Sequence, residues 1–302
     1  MYDIVIIGAG VAGLTAAIYA RRASKKVFVL EATTYGGQII NTLDIENYPA
    51  LEHISGVELA TKLYNQAKNL GAEIEFEKVI STELSGEVKT VVTEDNTYEA
   101  KAVIIATGSV NRKLGFSNED KLVGRGISYC ATCDGAFYKG KKVAVNGGGN
   151  TALDDALYLT DIADKVYLIH RREEFRGAEA TVERLRSKKN VEFVLKSTVT
   201  KLNADDKLTS IEVTNIDGEK RTLDVDGLFV AIGRIPSNQI FDDQVKLDES
   251  GYIVADENCH TSLDGVFVAG DNRTKELRQL VTAAADGAVA ATEAVKYLCN
   301  EK

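Results

Sequence analysis

The 302-residue chain has room for about two domains of ~150 residues each, and 44% hydrophobic with 27% charged residues suits ordinary cores in a water-exposed surface. A net charge of −9 argues against a general nucleic-acid binder, no stretch approaches the ~20 apolar residues of a membrane helix, and Asp3 with Gly8, Gly10 and Gly13 breaks the signal-peptide pattern. Four cysteines, two of them closely spaced, make no secreted disulfide framework, so a reducing, cytoplasmic compartment is expected.

The first element, Ile4 to Glu31, begins as an apolar β-rich run, turns through Gly8, Gly10 and Gly13, continues as an alanine-rich helix and ends in a second apolar run. That is a β-α-β unit with G-x-G-x-x-G spacing. Glycine lets the strand turn sharply and lets backbone approach a pyrophosphate, while the helix start offers free N–H groups and the positive end of its dipole. Glu31, at the end of the second strand, can accept hydrogen bonds from a ribose hydroxyl, which suits FAD or NAD.

Next in the chain, Cys130-Ala131-Thr132-Cys133-Asp134 places two cysteines three residues apart, the spacing of a redox dithiol at a helix start, where a thiol pKa falls and thiolate forms. Half a zinc site is the alternative, but Cys259, Cys299 and the three histidines lack ligand spacing, so no metal is expected.

The β-α-β pattern then recurs without a gap at Val143 to His170, a constant offset of 139. Gly147, Gly149 and Ala152 repeat the glycine spacing, with Asn150 and Thr151 opening the helix. Where the first copy has Glu31, the second has His170, followed by Arg171, Arg172 and Arg176. Guanidinium groups bind a 2′-phosphate through paired, charge-assisted hydrogen bonds, so this copy suits NADP. A dithiol between two unlike dinucleotide turns reads as an electron path.

These residues resemble the bacterial low-molecular-weight thioredoxin reductases over nearly the whole chain. The resemblance implies an α/β fold of two Rossmann-like three-layer domains. Residues 1–114 and 245–302 would bind FAD, and an inserted domain, 115–244, would bind NADPH and carry the dithiol. It assigns to FAD the first glycine turn and Glu31, the loop Gly36-Gly37-Gln38 with Glu46-Asn47-Tyr48-Pro49, Thr107-Gly108, Gly270-Asp271 and Arg278-Gln279. To NADPH it assigns Gly147, Gly149, Asn150, Thr151, Ala152, His170, Arg171, Arg172 and Arg176. Cys133 would face the flavin, Cys130 would attack the thioredoxin disulfide, and Asp134 would act as acid and base. A helix over Val281 to Leu298, a homodimer and rotation of the inserted domain on its two crossings are implied as well. A ferredoxin-driven enzyme, or one serving another thioredoxin-fold partner, is the alternative. Three positions depart from the family pattern: Asn146 stands where an apolar strand end is expected, Ala50 replaces the usual glycine after Pro49, and the loop Leu114 to Asp120 lacks Pro-Gly.

Overall fold

The computed structural model of the chain describes residues 1–42 and 44–300. It divides into two compact units, one formed by Met1–Val110 with Ile235–Lys302 and the other by Asn111–Arg234. These boundaries differ from the expected 114/115 and 244/245. Phe241 and Val245 are buried in the core of the first unit with Val5, Ile7 and Val103, whereas Leu114 and Phe116 pack against the core of the second.

The first unit opens with β1 (Tyr2–Ile7), α1 (Val11–Arg22) and β2 (Val27–Leu30). Then come α2 (Gly56–Asn69), β3 (Glu73–Glu75), the hairpin strands β4 (Val79–Glu83) and β5 (Lys89–Thr93), β6 (Thr97–Ile105) and the short β7 (Ser109–Asn111). The sheet order is β3-β2-β1-β6-β5-β4. β1 is parallel to both β2 and β6, and its residues alternate between two cores. Ile4 and Ile6 face α1, while Val5 and Ile7 face the opposite side. Burial on both faces is why β1 reads as a continuous apolar run.

In the second unit the chain forms α3 (Glu119–Leu122), β8 (Ile127–Ser128), α4 (Ala131–Asp134), β9 (Lys142–Asn146), α5 (Asn150–Thr160) and β10 (Lys165–Ile169). α6 (Glu179–Arg186) and β11 (Val191–Val194) follow, then an antiparallel trio, β12 (Ser197–Ala204), β13 (Leu208–Asn215) and β14 (Lys220–Asp224), and finally β15 (Gly227–Val230). The parallel order is β11-β10-β9-β15-β8.

The return crossing, β16 (Arg234–Pro236), pairs with β7, and the chain then adds β17 (Val266–Val268) and α7 (Leu280–Asn300) to the first unit. β17 lies parallel to the end of β6, completing the order β3-β2-β1-β6-β17. This is the counterpart of β11-β10-β9-β15-β8, so the duplication read as an offset of 139 extends to strand order. The α/β expectation is met, and α7 covers the helix expected from Val281 to Leu298. No described helix is long and apolar enough to cross a membrane.

Candidate active site

In the first unit, the turn between β1 and α1 shows why Gly8 and Gly13 are required. Gly8 has φ +110, and a Cβ there would overlap the Ala106 carbonyl at the end of β6; a Cβ on Gly13 would overlap the Gly8 carbonyl. At Gly10 a Cβ would meet nothing within 4 Å, so the backbone borders open space. The first bond of α1 runs from Leu14 N–H to Gly10 O at 2.9 Å, which leaves the earlier amides for a ligand. Glu31 accepts the Ala9 N–H at 2.9 Å and the Thr33 N–H at 3.1 Å, so its carboxylate is fixed at the rim of the turn.

The remaining first-unit candidates converge from distant parts of the chain. Gly36 donates to Ala9 O at 2.7 Å, and Gly37, with φ +62, starts a 3₁₀ turn against Gly10, with Gln38 exposed beside it. Asn47 Nδ2 donates to Gln279 Oε1 at 3.3 Å across 232 residues. Thr107 Oγ1 accepts from Asn272 Nδ2 at 3.1 Å, and Gly108, with φ +67, accepts the Ser237 N–H at 3.0 Å. Gly270 (φ +96) and half-buried Asp271 follow β17. Arg278 stacks over Tyr252 at 4.1 Å, and its Nε is sealed from solvent without a hydrogen-bond partner. An open glycine turn with a fixed carboxylate, and an orphaned buried donor in the same unit, fit a bound FAD.

Sequence reasoning missed Asn272 and Asn238 here. Asn272 is fully buried and bonds through Nδ2 to Thr107 and Asn238, while Asn238 Nδ2 donates to the Asn272 carbonyl at 2.8 Å. These amides brace the loop that presents Asp271. The only sequence signal for Asn272 is adjacency to Gly270-Asp271, which does not distinguish a brace from a surface residue, and Asn238 stands 34 residues away from it.

The second unit repeats the turn with changed chemistry. Gly147 donates to Ile169 O at 3.0 Å as Gly8 donates to Leu30 O at 2.7 Å, and a Cβ on Gly147 would overlap the Ala231 carbonyl. That Cβ would also lie 2.6 Å from the Ala152 methyl, so alanine is accommodated only because the first position has no side chain. Gly149 again borders open space, exposed Thr151 lies in the first turn of α5, and the first bond of α5 runs from Leu153 N–H to Gly149 O at 3.2 Å. Asn150 Oδ1 accepts the Ala178 N–H at 2.8 Å, and Arg176 N–H donates to Gly148 O at 2.8 Å, which ties the arginine loop to the turn.

His170 behaves differently from its exposed neighbours. It is only 5% exposed, its ring fills the space a Gly148 side chain would need, and it stacks on Phe175 at 5.2 Å. Burial lowers its pKa, so it is neutral at pH 7 and packs beneath the turn. Arg171, Arg172 and Arg176 are exposed, and none of them forms an ion pair among the described residues. Three unpaired guanidinium groups around a phosphate turn fit a 2′-phosphorylated dinucleotide. Asn146 ends β9 at 9% exposure, its carbonyl accepting the Ala231 N–H at 2.9 Å; its side-chain amide makes no hydrogen bond among the described residues.

The dithiol also lies in the second unit. Cys130 caps α4 and forms a disulfide with Cys133, with the Cα atoms 5.3 Å apart. Both residues are partly exposed. Ser128, at the end of β8, donates from Oγ to Asp134 Oδ2 at 2.6 Å and accepts the Cys130 N–H at 3.1 Å. Burial raises the Asp134 carboxyl above the usual carboxylate range, with the Ser128 bond working against it. A disulfide beside such a carboxyl can exchange with a thiol while a proton is held close by. The other cysteines differ in kind: Cys259 is fully buried, its thiol pushed up to about 12, and Cys299 is exposed.

The pyridine nucleotide-disulphide oxidoreductase family model matches residues 2–287. Thioredoxin reductases from Listeria innocua and Mycolicibacterium smegmatis are each 43% identical to the chain, over 99% and 100% of it and over 94% and 98% of their own lengths. The thioredoxin reductase structure from Streptococcus pyogenes superposes with a TM-score of 0.94 at 41% identity, covering 99% of each chain. That from Lactococcus lactis, in its FR conformation, gives 0.70 at 39% identity, over 99% of this chain and 100% of its own. With its disulfide, its duplicated dinucleotide turns and these full-length relatives, the chain belongs to the pyridine nucleotide-disulphide oxidoreductases, in the group of the thioredoxin reductases.

Proposed function

We propose that the chain is an NADPH-dependent flavoprotein that reduces the disulfide of thioredoxin, in the cytoplasm and as a homodimer. The observation that carries the reading is the Cys130–Cys133 disulfide with Asp134, whose raised carboxyl is bonded to Ser128. FAD would be held by Gly8, Gly10, Gly13, Glu31, Gly37, Gln38, Asn47, Thr107, Gly108, Gly270, Asp271, Arg278 and Gln279. NADPH would be held by Gly147, Gly149, Asn150, Thr151, Ala152, Arg171, Arg172 and Arg176, with His170 packing beneath them. Metal plays no part in this reading.

Bound together, the two cofactors supply a two-electron reduction of the Cys130–Cys133 bond. Cleavage of that bond leaves a thiolate and a thiol. Cys130 Sγ attacks the partner disulfide and forms a mixed disulfide, and the departing partner thiolate takes a proton from the Asp134 carboxyl. The Asp134 carboxylate then accepts the Cys133 proton, Cys133 Sγ attacks Cys130 Sγ, and the second partner thiolate leaves to be protonated by solvent. The dithiol must meet the flavin in one step and a protein disulfide in the next, so the 111–234 unit would rotate on its two crossings during turnover. Relatives at 41% and 39% identity whose TM-scores are 0.94 and 0.70 support more than one conformation in this family.

Anaerobic mixing with NADPH tests the reading. Flavin absorbance should bleach, and thioredoxin should sustain NADPH oxidation. Cys130→Ser should bleach normally yet lose thioredoxin reduction. Bleaching by reduced ferredoxin but not by NADPH would overturn the assignment of the second turn.

A further inference from the structure

Behind the first nucleotide turn lies a buried charged cluster that the electron path does not use. Asp286, in α7, accepts from Arg273 through both oxygens, at 2.9 Å from Nε and 3.0 Å from Nη2. Its Oδ2 also accepts from Lys275 Nζ at 2.8 Å and from the Gly270 N–H at 3.0 Å. The three side chains are 8–9% exposed, so two cations are buried against one carboxylate. Of the acids around Arg273, Asp256 gives it only its backbone carbonyl, at 3.4 Å, while its carboxylate is bonded to His260, and Glu257 is exposed to screening solvent. Lys275 carries three donors and makes one hydrogen bond among the described residues.

The backbone beside the cluster packs against the turn. Gly287, next to Asp286, has no room for a side chain because its Cβ would overlap the Ala12 carbonyl, and a Cβ on Gly270 would lie 3.0 Å from the Ala12 methyl. Ala12 stands between Gly10 and Gly13. A surplus cation in a low-dielectric site is costly unless an anion answers it. The anion whose binding the turn favours is a pyrophosphate.

We propose that Lys275, oriented by Asp286 and Arg273, supplies the surplus positive charge that binds the FAD pyrophosphate. This rests on the first turn being an FAD site. Arg273 and Asp286 are positioning residues that keep the Lys275 ammonium buried and aligned, and Lys275 provides charge that the glycine turn alone lacks.

The test uses flavin-free protein from the wild type, Lys275→Gln and Lys275→Arg, titrated with FAD by fluorescence and with ADP as competitor. Lys275→Gln should raise the Kd for FAD about tenfold, and that for ADP by the same factor, because both carry the pyrophosphate. Lys275→Arg should stay near wild type. Lys275→Gln keeps the neutral Arg273–Asp286 pair and should fold; if circular dichroism shows otherwise, Lys275→Met replaces it in the same titration. An unchanged Kd for FAD overturns the proposal, as does weakened FAD with unchanged ADP, or an arginine variant as weak as the glutamine one. Wild-type protein that takes up no FAD would instead defeat the reading of the turn.

Discussion

Ser128 links the two chemical partners of the dithiol site: its hydroxyl donates to Asp134 Oδ2 at 2.6 Å while its oxygen accepts the Cys130 N–H at 3.1 Å. Burial and this bond pull the Asp134 pKa in opposite directions. Ser128→Ala removes the downward pull, so the carboxyl should hold its proton to higher pH. The limb of the pH–rate profile for thioredoxin reduction that reports Asp134 should move to higher pH, because a hydrogen bond that favours the carboxylate is gone. A profile that keeps its position would show that Ser128 does not set this proton.

Asp134→Asn should slow dithiol exchange with the partner by about 10²-fold, the usual range for losing a positioned acid and base. NADPH should still reduce the flavin at the wild-type rate. Rapid-mixing measurements of the two half-reactions separate these outcomes.

Asp155, on α5, is pushed up to about 7 by burial, with the Ala131 N–H bond opposing the shift. An unfolded aspartate ionises near ~3.9. Between those values the folded chain holds a proton that the unfolded chain has lost, so this group's contribution to stability falls as pH rises from about 4 to 7 and levels off above. Asp155→Asn should therefore raise the melting temperature at neutral pH by a few degrees, and the gain should vanish near pH 4. Thermal melts across that range give the answer, and a gain that does not change with pH would assign the effect to packing.

Arg171→Ala with Arg172→Ala should raise the KM for NADPH by about 10- to 100-fold, the worth of one charge-assisted bond or more, and leave that for NADH nearly unchanged. Steady-state kinetics with both nucleotides decide it. Equal losses for both would place the arginines away from the 2′-phosphate.

Ala50 sits at φ +70, directly after Pro49, and the Leu51 N–H closes the turn onto Tyr48 O at 3.0 Å. A turn with proline at its second position and a positive φ at its third favours glycine there. Ala50→Gly should stabilise the protein by about 1 kcal/mol, read as a rise in melting temperature with unchanged flavin content.

The glycine turns, the dithiol and the exposed arginines were legible because their signals are local. A strand that must turn, a helix that must start and a cysteine pair one helical turn apart each leave a pattern within a few residues. Ala50 and Asn146 were also visible as departures, and the positive φ at Ala50 explains why the first departure matters. His170 shows the limit: its register matches Glu31, yet the absence of a side chain at Gly148 lets the ring pack inward.

Residue type and spacing alone thus determined that the chain holds two unlike nucleotide turns and a disulfide chemistry between them. Only the tertiary structure decided what stands at each strand end. β8 beside β15 occupies the place that β17 occupies beside β6, so the dithiol follows its strand where the other copy presents Gly270 and Asp271. Asn47 meets Gln279, and Arg273 and Lys275 meet Asp286, through pairings set by sheet order and helix packing. Such contacts join residues far apart in the chain or one loop to one helix face, and no periodicity within a short window specifies them.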